Sequence, residues 1–106
     1  MKNGNLEITE EKTPEGVKFI LKGQVNSGTA DEFQNRLQKA LNDGQKNIIL
    51  NMQWVDYLNS AGIRVILKTY QNTKNAGGTF GIEKPSQNVR NVLGMTALDE
   101  MLINKS

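Results

Sequence analysis

The stretch Asn59-Ser60-Ala61-Gly62-Ile63 lies between a short apolar segment, residues 48–50, and a helix-patterned segment, residues 63–74. The β-branched residues of the first segment favour a strand, and the spacing of apolar residues in the second predicts a helix. Ser60 is therefore expected at a helix start, where backbone N–H groups lack partners and the helix dipole is positive. A phosphate on Ser60 would meet a favourable anion site there. The simpler alternative is that Ser60 only caps the helix.

The composition limits the kinds of protein that this chain can be. Its 106 residues, of which 37% are apolar, suggest one domain over residues 1–106. The chain has no cysteine, which excludes disulfides, thiolate metal sites and a cysteine nucleophile. It also has no histidine, the commonest general base and the commonest transition-metal ligand. We therefore expect no enzymatic activity, no cofactor and no metal site.

Charge and hydropathy argue against nucleic acids and membranes as partners. The 13 basic and 11 acidic residues give a net charge of +2, and the basic residues are dispersed along the chain. Direct nucleic-acid binding needs a basic patch and is not expected. No window reaches the roughly 18 apolar residues of a membrane span. The polar start of the chain, residues 1–5, lacks the apolar segment of a signal peptide. A cytoplasmic protein without membrane insertion is expected.

The spacing of apolar residues predicts alternating strands and helices. Two strands form an antiparallel hairpin that ends at Gly23, and a capping box of Thr29 and Glu32 begins the first helix. The later elements are a strand over 47–52, a helix over 63–74, a strand over 79–83, a short helix over 89–93 stopped by Gly94, and a last element opened by a capping box at 96–99.

The order β-β-α-β-α-β-α predicts an α/β fold, a single mixed β-sheet of about four to five strands with helices packed against it. The turn at Ser60 then lies at the carboxyl end of the third strand. Open α/β sheets usually place their functional loops at that end.

Two basic residues follow Ser60 on the same side of the predicted helix. Arg64 lies four residues after Ser60, and Lys68 lies four residues after Arg64. Residues at this spacing are neighbours on a helix, so Arg64 could reach a phosphate on Ser60. The alternative is that both cations belong to an ordinary solvated helix face.

The aromatic residues before the turn have a separate interpretation. Met52, Trp54 and Tyr57 are expected to pack in the core or within loops rather than to form a ligand site. One or two of them could be partly exposed near the turn. Such residues would then supply anchoring area for a protein partner.

Several segments together resemble the STAS domain, the family of bacterial anti-sigma factor antagonists. The resemblance covers roughly residues 6–103, and the segment around Ser60 is its most specific part. The segments that carry it are Gly23-Gln24-Val25-Asn26-Ser27-Gly28-Thr29-Ala30, Asn47-Ile48-Ile49-Leu50-Asn51, Val55 to Leu67, Gly77-Gly78 and Thr96-Ala97-Leu98.

The resemblance implies a regulatory function rather than catalysis. An unmodified antagonist of this family binds an anti-sigma factor, which then releases its sigma factor. The anti-sigma factor is often a serine kinase that phosphorylates the serine matched here by Ser60, and a serine phosphatase can restore binding. The residues expected to contact the partner are Asn26, Ser27, Thr29, Asn59, Ser60, Ala61, Gly62 and Arg64.

Two positions depart from the family's pattern. The family commonly has acidic residues at the positions of Asn26 and Asn59, where this chain has neutral amides. Stand-alone domains of this kind also resemble regulatory subunits of membrane transporters, including lipid-transport complexes, and parts of larger signalling assemblies. Those proteins would use the same surface without a phosphorylation switch, and this remains the alternative function.

Overall fold

The computed structural model describes residues 5–96 of the chain. The last element expected from the capping box at residues 96–99 therefore lies almost wholly outside the described residues. In chain order, the elements within the described part are β1 (Leu6–Lys12), β2 (Val17–Val25), α1 (Ala30–Asn42), β3 (Asn47–Leu58), α2 (Ser60–Asn75), β4 (Thr79–Glu83) and α3 (Gln87–Met95).

The four strands form one mixed sheet in the order β1-β2-β3-β4. β1 pairs with β2 in an antiparallel hairpin, and β2, β3 and β4 are parallel to one another. This arrangement confirms the predicted α/β fold. The expectation that the hairpin ends at Gly23 is confirmed, because Gly23 forms the last antiparallel pair with Leu6, and only the pairing with β3 carries β2 on to Val25. Gly23 has a φ of +116° and lets the backbone of Asn5 approach, since a Cβ atom at Gly23 would lie 2.1 Å from the Asn5 oxygen.

One face of the sheet supplies the core. Val17, Phe19 and Leu21 alternate along β2 and are fully buried, whereas the residues between them are half-buried. The register places Ile48 beside Val17 and Leu50 beside Phe19, so the neighbouring strand adds to the same buried layer. The helices complete the core with Phe33, Leu37, Ala40, Val65, Ile66, Val89 and Leu93. Burial of one such large side chain contributes about 1.5–3 kcal/mol.

β3 contains two irregularities in its pairing with β2. Register shifts occur between Ile20 and Lys22 and between Gly23 and Gln24, and each shift places one extra residue in β3. Such β-bulges bend a strand and increase its twist. They also change which side chains point into the core beyond each shift, because side chains alternate with a period of two along a regular strand.

The bulges explain the exposure of two aromatic residues. From Met52 onward, burial in β3 recurs at every third residue, at Met52, Val55 and Leu58. The side chains between these positions face outward, so that Trp54 is 56% exposed and Tyr57 is 48% exposed. The expectation of core or loop packing is therefore confirmed for Met52 and wrong for Trp54 and Tyr57, for which the alternative of partial exposure near the turn is confirmed.

The segment after β4 continues along the outer edge of β3. The backbone N–H of Ser86 donates to the Met52 carbonyl at 3.1 Å, and the Ser86 hydroxyl donates to the Val55 carbonyl. The Ser86 hydroxyl also accepts from the N–H of Val89 and so caps α3. α3 runs on to Met95, so the expectation that Gly94 stops this helix is wrong.

Candidate functional site

The junction between β3 and α2 is built around Asn59. Its side-chain oxygen accepts hydrogen bonds from the N–H groups of Ala61 at 3.0 Å and Gly62 at 3.4 Å, and its carbonyl accepts from Ile63 at 3.0 Å. Asn59 is thus the N-cap of α2, and the alternative that Ser60 caps this helix is wrong. Ser60 is the first helical residue and is exposed. Within the described residues, its hydroxyl has no hydrogen-bond partner.

The Asn59 cap also changes the expected anion site. The N–H groups of Ala61 and Gly62, which would otherwise be open to a phosphate, already donate to the Asn59 side chain. A phosphate on Ser60 would therefore depend less on direct N–H contacts than the sequence suggested. The positive end of the helix dipole and nearby cations would provide most of its stabilisation.

The loop between β2 and α1 forms the second part of the site. The Asn26 side chain accepts from the N–H of Gly28 at 2.8 Å, and the Asn26 N–H donates to the Thr29 hydroxyl at 3.0 Å. That hydroxyl itself donates to the Gln24 carbonyl at 2.8 Å. Asn26 and Thr29 are both 8% exposed, so they shape the loop from inside.

The predicted capping box of Thr29 and Glu32 is wrong. Thr29 does precede the first residue of α1, but its side chain makes no capping hydrogen bond. Its backbone has helical angles, φ −117° and ψ −9°, whereas a capping residue normally has extended angles. The Thr29 hydroxyl instead donates to the Gln24 carbonyl, near the end of β2.

The two loops meet at the carboxyl ends of β2 and β3. The Asn59 N–H donates to the Val25 carbonyl at 3.1 Å, and Val25 pairs with Leu58 across the two strands. Gly62 packs directly against both, since a Cβ atom there would lie 2.5 Å from Val25 Cγ1 and 2.6 Å from Leu58 Cδ1. The first turn of α2 is therefore held against the sheet, and Ser60 stays beside the loop that begins at Asn26.

Two grooves flank this loop. The first has a volume of about 640 Å³ and lies between the loops, with Asn26, Ser27 and Asn59 in its lining. The second has a volume of about 500 Å³ and is lined by both α1 and α2, with Ser60 and Arg64 in its lining. Ser27 lines both grooves, so the two grooves and the exposed hydroxyls belong to one continuous surface at this end of the sheet.

Five of the eight expected contact residues are less exposed than Ser60. Asn26, Thr29 and Gly62 are buried, and Asn59 and Ala61 are half-buried. Their hydrogen bonds and close packing position the exposed residues of the surface.

The grooves contain several side chains besides the eight expected contact residues. Asp56 and Tyr57 line the first groove, and Asp31, Gln34 and Lys68 line the second, although none was among the expected contact residues. Asp31 and Gln34 are three residues apart, the spacing that places side chains on the same face of a helix, and this signal could have suggested them. Partial exposure of Tyr57 near the turn was only an alternative from the sequence, because the outward orientation of Tyr57 depends on the bulges in β3.

The charged side chains of α2 that follow Ser60 are all positive. The first turn of α2 contains no acidic residue, and the cap is a neutral amide. Arg64 and Lys68 are exposed. The ion pairs within residues 5–96 are Lys18–Glu83, Arg36–Glu10 and Lys39–Asp43, and none of them involves either cation of α2.

The family pattern described as the STAS domain matches residues 7–105. The chain belongs to the STAS domain family. The proposed anti-sigma factor antagonist BtrV of Bordetella bronchiseptica is 26% identical to it over 87 residues, which are 82% of this chain and 75% of BtrV.

Solved structures agree with this assignment. The anti-sigma factor antagonist SpoIIAA in its unphosphorylated form superposes with a TM-score of 0.82 at 18% identity, covering 92% of this chain and 86% of SpoIIAA. The Bacillus cell fate determinant SpoIIAA in its phosphorylated form gives a TM-score of 0.74 at 19% identity, with coverages of 93% and 89%. At these identities the likeness shows the STAS fold.

Residues 5–96 contain no group of three or more Asp or Glu side chains arranged to hold a metal ion. Within the same residues, no helix combines the length and apolar character needed to cross a membrane. The chemistry that the site does offer is an exposed hydroxyl on α2, two cations on the same helix and two adjoining grooves.

Proposed function

We propose that this STAS domain is an anti-sigma factor antagonist controlled by phosphorylation of Ser60. The unmodified chain binds an anti-sigma factor through the surface around Ser27 and Ser60. The anti-sigma factor is itself a serine kinase, and its phosphorylation of Ser60 dissociates the complex. A serine phosphatase reverses the modification. The observation that carries the proposal is the exposed Ser60 hydroxyl, which has no hydrogen-bond partner within the described residues and does not cap its helix.

The names of the relatives support this function. BtrV is named as a proposed anti-sigma factor antagonist, and SpoIIAA as an anti-sigma factor antagonist. SpoIIAA has been solved both unphosphorylated and phosphorylated, and both forms have the fold of this chain. A phosphate can thus be accommodated by a domain of this architecture.

The proposed modification is a transfer of one phosphoryl group. The Ser60 oxygen attacks the γ-phosphorus of ATP, a new O–P bond forms, and the bond to the β–γ bridging oxygen breaks to release ADP. The hydroxyl proton passes to a base of the kinase, because catalysis belongs to the kinase. The product carries about 1.5 to 2 negative charges at neutral pH on a side chain that was uncharged.

The location of Ser60 favours an effect on the partner over an effect on folding. The phosphate would project from the positive end of α2, where negative charge is favourable by about 0.3–1 kcal/mol. Asn59 adds no like charge beside it, and the first turn contains no acidic residue. The domain should therefore keep its fold, while a protein packed against Ser60 would have to accommodate both the bulk and the charge of the phosphate.

The test is a phosphorylation and binding assay with the anti-sigma factor recovered from the source cell. With ATP, the wild-type chain should gain a single phosphate that mass spectrometry maps to Ser60. Ser60→Ala should remain unmodified and bound. Ser27→Ala is the matched control for the site of modification, because Ser27 is a second exposed serine that lines both grooves, and the phosphate should still map to Ser60 in this variant.

Binding measurements complete the test. Ser60→Asp should weaken the complex at least tenfold, because it places a fixed negative charge where the partner packs. A phosphate mapped to another residue, or equal affinity of Ser60→Asp, Ser60→Ala and the wild type, would refute the switch. Co-purification of an unphosphorylated chain with a transporter ATPase would instead favour the regulatory-subunit function.

A further inference from the structure

α2 carries positive charge without any compensating negative charge. Its sequence, residues 60–75, contains Arg64, Lys68 and Lys74 and no acidic residue. Lys74 is already engaged, with its Nζ 3.4 Å from the Tyr70 hydroxyl and 5.1 Å from the centre of that ring. Arg64 and Lys68 are exposed and form no ion pair within residues 5–96. Two cations next to Ser60 are therefore available to a partner.

Both available cations line the groove shared by α1 and α2. This groove, about 500 Å³ in volume, has Ser60, Arg64 and Lys68 on its α2 side, and Asp31 and Gln34 on its α1 side. Asp31 is exposed and is not paired with either cation. An acidic group that enters the groove would be attracted to the α2 side and repelled from the α1 side, which restricts how it can bind.

We propose that the anti-sigma factor places an acidic segment in this groove, with its carboxylates paired to Arg64 and Lys68. The inference rests on the proposed function and adds the chemistry of the partner's contact. Charge complementarity supports it, since opposite potentials across an interface steer association and fix its register. Nucleic acid is a poorer match, because two free cations make few of the phosphate contacts on which such binding depends.

One of these two cations, Arg64, explains how phosphorylation would act. Arg64 follows Ser60 by four residues, so their Cβ atoms lie about 5–6 Å apart on the helix surface. Lys68 follows by one further turn. A phosphate on Ser60 brings nearly two negative charges within reach of Arg64, whereas Lys68, about 12 Å along the helix from Ser60, is too far away to pair with it. Phosphoserine would thus compete with the partner's carboxylates for Arg64, in addition to obstructing the partner directly.

The experiment measures the affinity of the purified anti-sigma factor for four chains: wild type, Ser60→Asp, Arg64→Ala/Lys68→Ala, and the combination of all three changes. Lys46→Ala is the matched control, since Lys46 is an exposed cation that precedes β3 and lies away from the grooves. Circular dichroism establishes that each variant is folded. The double variant should bind about tenfold more weakly than wild type, and Lys46→Ala should bind within twofold of it.

The combined variant separates competition from simple obstruction. If phosphate and carboxylates compete for Arg64, Ser60→Asp should cost clearly less affinity in the Arg64→Ala/Lys68→Ala background than in the wild type. Raising the salt concentration from about 50 to about 300 mM should also weaken the wild-type complex more than the complex of the double variant, because salt screens partly exposed charge pairs.

The possible failures are distinguishable. If the anti-sigma factor binds wild type and the double variant equally while Ser60→Asp still weakens binding, the acidic-segment inference is wrong and the proposed function stands. If wild type does not bind the anti-sigma factor at all, the proposed function fails and the inference falls with it. Tighter binding of a labelled RNA or DNA oligonucleotide than of the anti-sigma factor, lost in the double variant, would assign the cations to nucleic acid.

Discussion

Replacing Gly62 by alanine should destabilise the domain. The new methyl group would lie 2.5 Å from Val25 Cγ1 and 2.6 Å from Leu58 Cδ1, about 1 Å closer than the 3.4 Å at which ordinary contact begins. Val25 is fully buried and Leu58 is 4% exposed, so neither has free space to move into. Such overpacking costs about 1–3 kcal/mol, whereas alanine gains at most about 1 kcal/mol in helix propensity. The free energy of unfolding, measured with urea, should fall by about 0.5–2 kcal/mol.

Gly94→Ala is the matched control for this prediction. Gly94 also lies in a helix, but a Cβ atom there would meet no atom of residues 5–96 within 4 Å. The same substitution should therefore stabilise the domain by about 0.5–1 kcal/mol through helix propensity alone. Opposite signs at the two glycines would show that contact with Val25 and Leu58, and not the residue type, determines the outcome.

A second-site change tests the cause directly. Val25→Ala removes the methyl group that clashes and is itself destabilising, because it leaves a cavity in the core. In that background, Gly62→Ala should cost less than in the wild type or become stabilising, which a double-mutant cycle measures as a coupling energy. The reasoning is refuted if Gly62→Ala leaves the wild type equally or more stable, or costs the same in both backgrounds.

Two further outcomes follow from the site and the sheet. Asn59→Ala should lower the free energy of unfolding by about 0.5–2 kcal/mol because α2 loses its cap, whereas Asn59→Asp should have a stability close to that of the wild type. Urea unfolding of both variants measures these changes. An Asn59→Ala chain as stable as the wild type would contradict the capping role of Asn59. Trp54, the single tryptophan, is 56% exposed. Acrylamide should therefore quench the fluorescence of the folded chain almost as efficiently as that of the chain unfolded in urea. Strong protection of Trp54 from acrylamide in the folded chain would contradict its outward orientation.

The order of the elements could be predicted because burial imposes regular spacing. Helix α1 keeps Phe33, Leu37 and Ala40 on one buried face, and strand β4 was expected at residues 79–83, where it is found. These patterns persist because each segment must cover the same core, so local sequence and tertiary packing agree. The placement of Ser60 at the end of β3 followed from that order.

The details at helix starts could not be predicted from residue type. Asn59 and Ser60 are both good capping residues and are adjacent, so composition does not decide which of them caps α2. The backbone decides, since Asn59 has the extended angles of a cap, φ −113° and ψ −172°, while its N–H bonds to the end of β2. Thr29 shows the converse, because its hydroxyl is drawn to the Gln24 carbonyl by the loop and not by the helix.

The outward orientation of Trp54 and Tyr57 was hidden for a different reason. Both are typical strand residues, and the sequence of β3 does not show where an extra residue is inserted. The bulges arise from the pairing of β3 with β2, which are separated in the chain by α1. A reading of local periodicity therefore assigned these side chains to packing, although the first groove borders Tyr57.

The bulges also set the length of the strand that leads to the site. Nine residues of β2, Val17–Val25, run beside a stretch of β3 from Ile48 to Leu58 that contains two residues more. Only this unequal count brings Leu58 level with Val25, and hence the start of α2 level with the loop after β2. Deleting one residue such as Gln53 would shorten that path by a single step and rotate every later side chain of the strand to the opposite side. The contact between the two loops therefore depends on the number of residues in β3. Substitutions at the surface would leave this contact intact, whereas a single deletion would abolish it.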